Sequence, residues 1–115
     1  MGYGVDIHLE KVDQKVILRI EGRLDAVTCP LVEKKIHSLI EEKQLYLLLD
    51  FTDVEYMSSA GLRFLLSSTK KIKSQKGSLI LFSISEEVLR IIRMAGFEKL
   101  LTICKSEKEA LQYHE

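Results

Sequence analysis

Val5, Ile7 and Leu9 alternate with Asp6, His8 and Glu10, the period of two expected of a half-buried strand. Val16, Leu18 and Ile20 repeat it against Lys15, Arg19 and Glu21, and the short Lys11–Gln14 link between the two runs predicts a hairpin. Gly22-Arg23-Leu24-Asp25-Ala26 then leaves the strand and leads to Cys29-Pro30. Proline is accepted in a helix only in its first turn, so a helix is predicted to start near residue 29 or 30. Leu31, Val32, Ile36, Leu39 and Ile40 follow at helical spacing, with Glu33, Lys34, Lys35 and Glu41 on the other side.

The run from Leu45 to Phe51 hardly alternates and is broken only by Asp50, which suits a central strand covered on both faces. A second helix is predicted from Ser59, with Leu62, Leu65, Leu66, Thr69 and Ile72 facing inward, fading at Lys73–Gly77. Leu79–Phe82 reads as another buried strand. Ser85 followed by Glu86 and Glu87 is a cap and two acids at the positive end of a helix dipole. Val88, Leu89, Ile91, Ile92 and Met94 form that helix's apolar face, and Gly96 sits at its C-cap position. Leu100–Ile103 is predicted as the last strand, and Ser106 with Glu109 as the capping box of a final helix through about Tyr113. The order β-β-α-β-α-β-α-β-α predicts an α/β sandwich with mostly parallel inner strands and an initial hairpin.

The chain has 115 residues, enough for one domain over residues 1–115. Its 17 Lys and Arg balance its 17 Asp and Glu, which argues against non-specific nucleic-acid binding, driven as that is by excess positive charge. No apolar stretch approaches the roughly 20 residues that span a bilayer. Met1 to Asp6 lacks the basic and apolar segments of a secretory leader, so a cytoplasmic protein without membrane contact is expected. Cys29 and Cys104 form no CxxC pair, and His8, His37 and His114 lack ligand spacing; no metal or other cofactor is expected.

Neither GxxxxGK[ST], GxGxxG nor GxSxG occurs, so an enzyme is not expected. The informative segment runs from Asp50 to Arg63, at the carboxyl end of the central strand, where sites in doubly wound sheets tend to lie. Ser58 and Ser59 there stand at a helix N-terminus, whose free N–H groups and dipole favour negative charge. A capping serine and a modification or binding site are both open readings. A cap needs one hydroxyl, however, and explains neither the second serine nor the small Ala60-Gly61 pair.

Tyr56-Met57-Ser58-Ser59-Ala60-Gly61-Leu62-Arg63 resembles the phosphorylation loop of the STAS-domain anti-sigma factor antagonists of bacteria. Gly22-Arg23-Leu24-Asp25 resembles that family's other recurrent element. Gly77, Ser85 and Met94-Ala95-Gly96-Phe97 also fit, so the similarity covers essentially the whole chain. The resemblance implies a STAS fold, a mixed, mostly parallel sheet with an N-terminal hairpin and about four helices. It implies a non-catalytic partner-switching protein: unphosphorylated, it binds an anti-sigma factor that is also a serine kinase, and phosphorylation releases it until a serine phosphatase resets the cycle.

Carried over by position, Ser59 is the implied phosphorylation site, with Ser58 as the alternative. Asp25, Met57, Ser58, Ala60, Gly61, Leu62 and Arg63 are the implied partner contacts. The chain departs from the pattern at Ser58, where many members have Asp, at Ala60, where others carry Ser or Thr, and at Arg63, which replaces a frequent glycine. A free monomer is expected. A STAS subunit docked to a transporter or signalling scaffold is the alternative reading, and a small nucleotide-binding protein a third.

Overall fold

Asp13 takes the left-handed turn position at φ 56°, and β1 (Val5–Val12) and β2 (Lys15–Leu24) close an antiparallel hairpin around it. The computed structural model describes residues 4–113; the first three residues, His114 and Glu115 lie outside it. α1 (Cys29–Glu41), β3 (Tyr46–Met57), α2 (Ser59–Ser74), β4 (Ser78–Phe82), α3 (Glu86–Met94), β5 (Thr102–Cys104) and α4 (Glu107–Gln112) follow. The strands form one sheet in the order β1-β2-β3-β4-β5, parallel everywhere except in the hairpin.

Side-chain alternation sends Leu18, Ile20, Leu47, Leu49, Phe51, Leu79 and Leu81 into the larger core, with Val32 and Ile36 of α1, Leu65 and Ile72 of α2, and Val88 and Ile92 of α3. Ile17, Leu48, Ile80 and Phe82 point the other way, into a smaller core with Ala110 of α4. The apolar run from residue 45 therefore lacks alternation because β3 is covered on both faces.

Five local expectations differ. β3 does not stop near Phe51 but continues to Met57, alongside a β2 that runs on through Leu24. Its buried residues there are Phe51, Val54 and Met57, three apart, because two register irregularities each insert an extra residue on the β3 side. Gly22 lies within this irregular stretch at φ 118°, and a Cβ on it would sit 2.2 Å from the Gly4 carbonyl oxygen. Met94, expected on the apolar face of α3, is 81% exposed, and Leu31 is also exposed. Leu100 falls in a single 3-10 turn, Glu98–Leu100, leaving β5 only three residues.

Candidate functional site

Two loops meet at the carboxyl end of β2 and β3. In the first, the Asp25 carboxylate accepts the N–H groups of Val27 and Thr28, both at 3.0 Å. The Thr28 hydroxyl accepts the Asp25 N–H at 3.0 Å and donates to the Arg23 carbonyl at 2.6 Å, closing the turn into α1. The N–H of Thr28 lowers the Asp25 carboxyl most; burial opposes it, and the Val27 N–H, the Thr28 hydroxyl and the Arg23 charge bring the balance below the usual range. Its second oxygen lies 3.6 Å from Arg23 Nε, and the Arg23 guanidinium stacks 4.8 Å from the centre of the Tyr56 ring.

In the second loop, Ser58 has extended backbone and caps α2: its Oγ accepts the Gly61 N–H, and its own N–H donates to the Leu24 carbonyl at 2.9 Å. Ser59, the first residue of α2, is exposed, and its hydroxyl makes no hydrogen bond among the described residues. Gly61 permits the approach of the two loops. A Cβ there would lie 2.5 Å from Met57 Cγ and 2.8 Å from the Leu24 carbonyl oxygen. Met57, Gly61 and Leu62, among the implied partner contacts, are buried beneath the two loops. Asp25, Ser58 and Ala60 are partly accessible, and Arg63 is exposed.

Two features escaped the sequence reading. Arg19 binds Asp50 and Glu107 at 2.8 Å each and Glu10 at 2.9 Å, tying β1, β2, β3 and α4 together. Asp50, a lone acid in an apolar run, was the available signal. Burial pushes its carboxyl up, but hydrogen bonds from the Thr52 hydroxyl and N–H, together with Arg19, outweigh this and hold it below the usual range.

The other feature is an open cleft of about 910 Å³ between the ends of β2 and β3 and the start of α3. Asp6, Glu21, Asp53, Glu55, Glu86 and Glu87 line it against the single cation Arg23, an environment hostile to nucleotide phosphates. Among the described residues, no three His, Cys, Asp or Glu side chains are grouped to hold a metal ion. Cys29 and Cys104 are buried free thiols. Among those same residues, no helix is long and apolar enough to cross a membrane.

The family model described as STAS domain matches residues 6–110. The chain belongs to the STAS domain family. This STAS domain is 26% identical over 109 residues to the anti-sigma-B factor antagonist of Listeria monocytogenes, with 95% of each chain covered. It is 26% identical to the anti-sigma-B factor antagonist of Bacillus subtilis over 94% of this chain and 98% of that one. An anti-sigma factor antagonist structure from Mycobacterium paratuberculosis superposes with a TM-score of 0.84 at 22% identity, over 93% of this chain and 91% of that one. The mixed five-stranded sheet and four helices are the STAS fold.

Proposed function

We propose that this STAS domain is an anti-sigma factor antagonist, a non-catalytic module that binds a kinase-type anti-sigma factor while Ser59 is bare and is released when Ser59 is phosphorylated. A serine phosphatase restores the binding form, and the free protein is a cytoplasmic, single-domain monomer. One observation carries the choice of residue. Ser58 is engaged as the helix cap, whereas Ser59 beside it is exposed with its hydroxyl unengaged among the described residues.

A phosphate on Ser59 adds about 1.5 to 2 negative charges and three acceptor oxygens. At the first position of a helix of 16 residues, the dipole favours that charge by roughly 0.3–1 kcal/mol. Arg63 stands four positions on, along the same helix face. The fold therefore tolerates the modification, and the switch acts on docking. Burying an unmatched phosphate against a partner costs several kcal/mol, and about 2.7 kcal/mol already lowers affinity a hundredfold.

The test is incubation with ATP and the host's kinase-type anti-sigma factor, followed by mass-spectrometric site mapping and binding measurements. Phosphate is expected on Ser59 alone, Ser59→Ala should bind and resist release, and Ser59→Asp should fail to bind. A Ser59→Asp variant that binds as tightly as the native chain overturns this reading.

A further inference from the structure

Two depressions of about 350 and 340 Å³ run end to end along the seam between α1 and α2, sharing Pro30, Glu33 and Ser67. The upper one begins beside Ser59, at Ala60, and its walls are largely apolar, with Ala26, Cys29 and Phe64. Val27 and Leu31, adjacent in sequence to these walls, are 74% and 42% exposed and extend the apolar surface at this end of the seam. The lower depression changes character. Lys34, His37 and Lys71 border it, with Lys71 Nζ 2.7 Å from His37 Nδ1. Arg63, Lys34 and Lys71 thus face Glu33 along the seam, with Glu41 3.6 Å from His37 Nε2 at the lower end, still a local excess of cations in a chain whose charges balance overall. The acidic cleft near α3 shares no residue with the seam and is of the opposite sign.

We propose that this seam is a docking groove for a segment of the anti-sigma factor that places an apolar side chain between Ala60 and Pro30 and acidic residues roughly 6–16 Å further along, against Lys34 and Lys71. The inference rests on the partner assigned above and extends it. Ser59 is the upper end of the contact surface, and the seam supplies the length and charge pattern that orient the partner. Charge complementarity chooses the occupant, since a basic or wholly apolar segment leaves the seam's excess cations unmatched.

The experiment titrates the full chain with the host's purified kinase-type anti-sigma factor, using three variants away from the serines. Ser67→Trp, which fills the junction of the two depressions, and the double variant Lys34→Glu, Lys71→Glu are each expected to weaken binding at least tenfold. The double variant should also flatten the salt dependence. Lys70→Glu, on the same helix but outside the seam, should bind within twofold of the native chain. As a check independent of affinity, a nitroxide on Ser67→Cys should lose mobility in the complex, the native thiols Cys29 and Cys104 being buried.

Near-native binding by both seam variants, with a label that stays mobile, overturns the groove. If Ser59→Asp still abolishes binding in the same titration, the partner assignment stands and only the groove falls. If Ser59→Asp also binds normally, both fall.

Discussion

The N–H of Ser58 donates to the carbonyl of Leu24 across 2.9 Å, joining the end of β2 to the start of α2. Leu24 precedes Asp25, and Ser58 precedes Ser59. With the pairing of Arg23 and Leu24 to Tyr56 and Met57, this bond joins the two sequence elements that resemble the antagonist family, and the Ser58 cap leaves Ser59 exposed beside it.

Ser58→Ala removes the cap on the Gly61 N–H and should lower stability by about 0.5–2 kcal/mol. Ser59→Ala touches no hydrogen bond among the described residues and should stay within about 0.5 kcal/mol of the native chain. Urea unfolding of both variants checks the division, and equal losses would make Ser59 structural.

Gly61→Ala forces a methyl group against the Leu24 carbonyl, which cannot swing away as the Met57 side chain can. A loss of about 1–3 kcal/mol is expected. Amide chemical shifts should move at residues 24–28 as well as in α2, because α2 must lift away from the Asp25 turn. Shifts confined to α2 would contradict the close approach.

Arg19→Met leaves Asp50, whose side chain is only 12% exposed, without its cation and frees Glu107 of α4. Stability should fall by about 1.5–3 kcal/mol. Limited proteolysis should then cut near Lys105 and Lys108 faster than in the native chain, as α4 is left with the packing of Ala110 and Leu111 and the Lys15 bond to the Leu111 carbonyl. Adding Asp50→Asn to Arg19→Met should recover part of the loss, and a double-mutant cycle with no coupling would show the pair to be idle.

Asp25 and Asp50 both titrate below the ordinary 3.8, so in that range the unfolded chain binds more protons than the folded one. Their stabilisation is complete above the unfolded value and is lost as pH falls through the folded values. The urea midpoint should therefore drop below about pH 4, and Asp50→Asn should make that drop shallower. An unchanged slope in Asp50→Asn would remove Asp50 from the acid transition.

Burial, reinforced by the charges of Asp25 and Glu33, pushes the Cys29 thiol up to about 11. Iodoacetamide at pH 7.5 should alkylate it slowly in the folded chain and readily in urea, as read by intact mass. Rapid modification of the native protein would mean that the α1 start opens on that timescale.

Much of the fold was legible along the chain. Ser85 and Ser106 mark helix starts because a cap acts on backbone groups two or three residues away, and Pro30 marks one because proline is accepted only in a helix's first turn. The two-sided burial of β3 showed in its apolar run, interrupted only by Asp50. The second half of β3 did not show, because its buried residues fall three apart once the two irregularities are inserted, and neither a period of two nor one of 3.6 fits them. Met94 misled for a related reason: helical spacing places a residue on a face but does not say how far the core beneath it extends.

The sequence by itself determined the order of elements, the family and the pair of serines at the head of α2, since each is written in neighbouring residues. Only the tertiary structure decided which serine is engaged, that Met57, Gly61 and Leu62 lie under the surface, and that Arg19 gathers three carboxylates. Those outcomes depend on groups such as Ser58 and Leu24, 34 positions apart, whose meeting is fixed by sheet register and helix packing. Local periodicity carries no record of such long-range pairing.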